Sequence, residues 1–153
     1  MNRREMITAG VGLGLMAAGP ALADKAAGAA TKPPAPSPRD ALIAATADCE
    51  REGAVCAAHC AGELAKGNKE FAHCAASVND MRAMVQAMLT LASSGSALAK
   101  KVAPLCADAC KTCAAACLEH KAHWEHGMHL ACKACFDACG VCEKACTAFA
   151  ASA

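Results

Sequence analysis

The chain has 153 residues, thirteen of them cysteine, with three Phe, one Trp and no Tyr, and a formal net charge of +1. So few β-branched and aromatic residues argue against a sheet, and balanced charge without a basic, aromatic-interleaved patch argues against nucleic acid as a partner. What remains is one domain's worth of chain with few large side chains for an ordinary core, so something else must fill the interior.

Residues 1–23 read as an export signal. Asn2-Arg3-Arg4 supplies a charged start, Ile7 to Ala18 a short apolar run, and Ala21-Leu22-Ala23 an A-x-A cleavage site. The run is too short and Gly-rich for a good membrane span. The paired arginines resemble a twin-arginine signal, with Met-Ile in place of the usual Phe-Leu. The twin-arginine reading is preferred, with an ordinary secretory signal as the alternative. Either route puts the mature chain outside the cytosol, in the periplasm or another cell-envelope compartment. Residues 24–38, ending T-K-P-P-A-P-S-P, read as a disordered Pro/Ala-rich leader.

Four helices are expected in residues 39–150. Ser37 caps the first and Pro38 sits in its first turn. This helix runs to Lys66 with Cys49, Cys56 and Cys60 on one face, and Gly67-Asn68 breaks it. The second runs from about Lys69 to Ala92 and carries Cys74, its stripe continuing as Val78, Met81, Val85 and Met88. After the Ser93-Ser94-Gly95-Ser96 loop, the third runs from about Ala97 to His120, with Pro104 a local irregularity. The fourth covers roughly Gly127 to Phe149. Short connections predict an all-α, antiparallel up-down-up-down four-helix bundle.

The third helix carries Cys106, Cys110, Cys113 and Cys117, and the fourth carries Cys132, Cys135, Cys139, Cys142 and Cys146. Steps of three and four keep one face of an α-helix, so these sets fall within about 60° and about 80° of arc. Sulfur stands where a bundle would carry leucine. The interior is predicted to be lined with cysteine.

Buried thiolates are costly unless their charge is matched. A monovalent soft cation does this: one Cu(I) per thiolate is neutral, and softness matching favours it, so about one copper per cysteine is expected. Four thiolates around Zn²⁺ would leave −2 in each site. Iron–sulfur ligation usually draws on loop cysteines of mixed spacing. Disulfides suit an oxidising compartment, but neighbours on one helix are poorly placed for their geometry. A thiol–disulfide redox protein is the alternative from another class. It wants one exposed, low-pKa C-x-x-C, whereas Cys110/Cys113, Cys132/Cys135 and Cys139/Cys142 each sit inside a longer stripe.

Softer candidates accompany the thiols. Met81 and Met88 divide evenly between core packing and thioether ligation. His120, His123, His126 and His129 are spaced by three, which drifts around an α-helix. Of these, His120 and His129 are expected to continue the stripes inward, with Met128 and Trp124, either as a polar hairpin tip or as a mouth for copper. His59 and His73 point about 100° from their neighbouring cysteines and are expected at the surface. Glu70-Phe71-Ala72-His73 matches the E-x-x-H of di-iron bundles, but the second such motif is missing. No phosphate loop or nucleophile–base set points to an enzyme.

An exported, cysteine-packed four-helix bundle with stripes Cys49/Cys56/Cys60, Cys74, Cys106–Cys117 and Cys132–Cys146 resembles the bacterial copper storage proteins, specifically the exported type of methane-oxidising bacteria. The resemblance covers roughly residues 38–150. It implies that all thirteen cysteines bind Cu(I), with Met and His ligands near an open end. It also implies a homotetramer that stores copper for the membrane-bound copper methane monooxygenase. A copper chaperone, chelator or copper enzyme is the expected recipient.

Overall fold

Ser37 starts the first helix as its sequence predicts. Its Oγ accepts the Asp40 backbone N–H at 3.2 Å, Pro38 opens the helix where no N–H is needed, and Asp40 places negative charge in the first turn. The computed structural model describes residues 35–152. Residues 1–34 lie outside it, and with them the export signal and all but the end of the leader.

The helices are α1, Pro38–Ala65; α2, Ala72–Ser93; α3, Ala99–Leu118; and α4, Leu130–Ala151. No strand occurs among the described residues. Short 3₁₀ segments at Lys69–Phe71 and Lys121–His126 precede α2 and α4. None of the described helices is long and apolar enough to cross a membrane.

Helix α1 stops at Gly67, which takes φ +93°. The Asn68 N–H returns to the Glu63 carbonyl at 3.1 Å and the Gly67 N–H to that of Leu64 at 2.9 Å, the pairing that satisfies a helix's last carbonyls. Pro104, the expected irregularity, is absorbed inside α3. Its missing N–H falls in the second turn at an exposed position, and the carbonyl it frees, four residues earlier, belongs to exposed Lys100.

Each helix packs on its neighbours in sequence, and α1 closes the bundle against α4. The sulfurs give the directions. Going down α3 and up α4, Cys113 meets Cys135 at 3.8 Å, and Cys106 groups with Cys142 and Cys146. From α1 to α4, Cys56 meets Cys132 at 3.9 Å and Cys49 meets Cys139 at 3.9 Å. From α1 to α2, Cys56 meets Cys74 at 3.9 Å and Cys49 meets the sulfur of Met81 at 3.5 Å. Numbers rise on one helix as they fall on the next, so every adjacent pair is antiparallel.

The interior has two compositions. Toward the end opposite the α1–α2 turn, Leu42, Val85, Met88, Ala92, Ala103 and Phe149 are buried, an ordinary apolar fill worth roughly 1.5–3 kcal/mol for each large side chain. Toward the turn, sulfur dominates. Gly53 of α1 admits α2 closely: a Cβ there would lie 2.8 Å from Met81 Cε and 3.0 Å from Arg82 Cγ.

Candidate metal centre

Helical period alone turns the cysteines inward, and the structure completes what it begins. All thirteen are 0 % exposed and none is paired in a disulfide. The closest Sγ–Sγ contacts run from 3.7 Å, between Cys74 and Cys117, to 4.0 Å, between Cys56 and Cys117. That is about twice a disulfide bond of ~2.05 Å. It is also the spacing of two sulfurs sharing one metal: with metal–sulfur bonds of about 2.3 Å and three- or four-fold coordination, they lie about 3.8–4.0 Å apart.

The sulfurs collect into five mutually close groups: Cys56/Cys60/Cys74/Cys132, Cys49/Cys110/Cys139, Cys56/Cys117/Cys135, Cys106/Cys142/Cys146 and Cys113/Cys135/Cys139. Every cysteine belongs to at least one group, and Cys56, Cys135 and Cys139 each belong to two. Four of the five have only three sulfurs, which suits a soft ion of low coordination number better than a set of tetrahedral zinc sites.

Crowding splits the thiols electrically. Cys49 is held well below the ordinary thiol range, chiefly by the Cys110 S–H beside it, and Cys135 likewise by Cys113. Cys139 is pushed up, first by the neighbouring Cys110, Cys142 first by Cys106, and Cys146, first by Cys106, to about 12. A few thiolates are therefore stabilised by neighbours that keep their own protons. Full ionisation needs a cation for each remaining proton.

The methionines divide. Met81 is fully buried with its sulfur on Cys49; Met88 is fully buried farther along the stripe, in the apolar part; Met84 is half-buried. Met128, expected inward, is 46 % exposed instead, because the chain before α4 is a 3₁₀ turn and not a helix continuing the stripe.

The imidazoles gather at the hairpin end. His120 is buried and stacks flat on Phe71, ring centroids 4.1 Å apart. His129 lies edge-on to Phe71 at 4.8 Å, and His123 lies 5.2 Å from His129. Only His123 and His126 lie in the 3₁₀ segment, and His126 is exposed; His129 joins the cluster after positive φ at Gly127 and at His129 itself. His59 departs from the surface expectation: its Nε2 stands 3.1 Å from His129 Nδ1, part-buried. His73 meets it, exposed and paired with Glu119 at 2.8 Å. Burial, and then the neighbouring His59 and His123, hold His129 below the usual imidazole range, so it is neutral near pH 7.

No curated protein matches the chain. Residues 36–151, which hold all four helices and all thirteen cysteines, match the family model described as Csp, copper storage protein. The chain belongs to the copper storage protein family.

Proposed function

We propose that the protein is a non-enzymatic reservoir of Cu(I) in the cell envelope, binding about one ion per cysteine. The observation that carries this is the burial of thirteen unpaired thiols in one core, each of them grouped with others at ligand spacing. No apolar core needs so many sulfurs, and only a monovalent soft cation neutralises them one for one. The same burial counts against a thiol–disulfide redox role, since Cys110, Cys113, Cys132, Cys135, Cys139 and Cys142 are all inaccessible.

Export rests on Arg3-Arg4 and the Ala21-Leu22-Ala23 site. Self-association, as a tetramer by resemblance, is supported by the half-exposed Val55, Leu105 and Val141 on outer helix faces. A copper enzyme of the envelope, such as a membrane-bound methane monooxygenase, is the recipient this reading names.

An anaerobic Cu(I) titration of the reduced protein tests it, with bound copper counted by metal analysis and helicity followed by circular dichroism. Saturation near one copper per cysteine on an already helical apo protein is expected. Saturation at one or two ions, or disulfide formation that abolishes binding, would overturn it.

A further inference from the structure

All thirteen cysteines are 0 % exposed, so the bundle as it stands offers a hydrated ion no open path to any sulfur. Whatever the thiols bind must enter and leave through a transient local opening. The helices themselves are poor candidates, each running 20–28 residues against two neighbours. The end opposite the α1–α2 turn is filled by Leu42, Met88, Ala92 and Phe149, which gives an ion nothing polar to follow.

The hairpin end is built differently. There the buried ring of Phe71 is carried by the three-residue 3₁₀ segment Lys69–Phe71, whose hydrogen bonds have poorer geometry than those of an α-helix. The Phe71 N–H reaches the Asn68 carbonyl at 3.3 Å, Lys69 and Glu70 are exposed, and Gly67 at φ +93° precedes the segment. Side chains fasten it at one point: Asn68 Nδ2 donates to Glu63 Oε2 at 2.6 Å, and Lys66 Nζ holds Oε1 of the same carboxylate at 2.8 Å.

The ring fills a frame. His120, just past α3, lies flat on Phe71 with centroids 4.1 Å apart, and His129 and His59 stand edge-on at 4.8 and 5.6 Å. The first sulfurs inward from that frame, one on each helix, are Cys60, Cys74, Cys117 and Cys132. A weakly held segment thus carries the one bulky apolar ring that stands between the hairpin end and the thiols.

We propose that Phe71 is the door of the bundle: the Gly67–Phe71 segment swings out when the Glu63–Asn68 bond lets go, and this opening sets the rate at which metal enters and leaves the thiols. Its use in metal exchange rests on the storage reading. The opening itself belongs to the apo chain and is measurable without metal.

The test uses the full chain in two arms. In the first, reduced, metal-free protein is treated with iodoacetamide to less than one label per chain, and the labelled cysteines are mapped by mass spectrometry. Asn68→Ala removes the fastening and leaves the ring in place. It should speed labelling of Cys60, Cys74 and Cys132 about tenfold relative to Cys106, Cys142 and Cys146, as expected for the loss of one hydrogen bond to a charged group. Phe71→Ala should do at least as much, and Phe149→Ala, a like truncation at the opposite end, should leave the ratio unchanged. In the second arm, protein loaded anaerobically with Cu(I) is challenged with a chelator. Faster release from Asn68→Ala and Phe71→Ala, with the copper count unchanged, is expected. Selective acceleration of labelling in a protein that binds little copper would keep the door and sink the store. Acceleration spread equally over all thirteen cysteines, the same selective effect from Phe149→Ala, or release of a full copper load that Asn68→Ala does not hasten, would overturn the door alone.

Discussion

Helices α2 and α4 turn equally regular stripes to the same interior and fill them with different atoms. Helix α4 offers Cys132, Cys135, Cys139, Cys142 and Cys146, and α2 offers Cys74, then Val78, Met81, Val85 and Met88, all fully buried. Helical period decides that a stripe is buried; it does not decide whether the stripe packs or reacts. A cysteine contributes less buried surface than valine or methionine, so α4 gives up cohesion at five positions. Its contribution is chemical. That of α2 is mostly structural.

Replacing all five α4 cysteines with alanine breaks the contrast most severely. Each of the five sulfur groups contains an α4 member, so more than half of the bound copper should be lost, read by metal analysis, while circular dichroism shows the helices retained.

Met88→Ala attacks the other side. It should lower stability by about 2–4 kcal/mol, the usual cost of emptying a buried site, in denaturant unfolding of the apo protein, with the copper count unchanged.

Acid sharpens the contrast, because only the sulfur stripes titrate. Thiols such as Cys139, Cys142 and Cys146 are pushed above the ordinary range, so near neutrality they are protonated and copper must displace those protons. Affinity then rises with pH and falls on acidification, by about tenfold per pH unit for each ion that displaces one proton. Competition with a Cu(I) chelator at pH 6 and pH 7 would show it, whereas the apolar end is indifferent.

Met81→Leu is the mildest change. It keeps the volume and removes the sulfur beside Cys49, so stability should shift by less than about 1.5 kcal/mol and the count by no more than the ion nearest Cys49.

Much of this was legible in the sequence because cysteines three and four apart admit one reading on a helix. The Ser37 cap, the Gly67 stop and all thirteen inward thiols follow from local rules. The imidazole pair does not. It follows a turn in which Gly127 and His129 both take positive φ, just where His129 meets His59. Spacing measured around an ideal α-helix does not anticipate a 3₁₀ turn there, which turns Met128 outward; His59, on a regular helix, is part-buried where His129 meets it. Phe71, the fully buried ring beneath the imidazoles, has no periodic partner in the sequence because it sits in the corner between two helices.

Most of the sulfur groups overlap. Cys56, Cys135 and Cys139 each stand in two of them, which joins four of the five without a partition, while Cys106/Cys142/Cys146 shares no member with the rest. Such a lattice degrades gracefully: deleting one sulfur trims its neighbours without erasing a compartment, and adding one on the same stripe extends them. Capacity can then drift up or down by single substitutions over evolutionary time, with no intermediate that must forfeit the whole store.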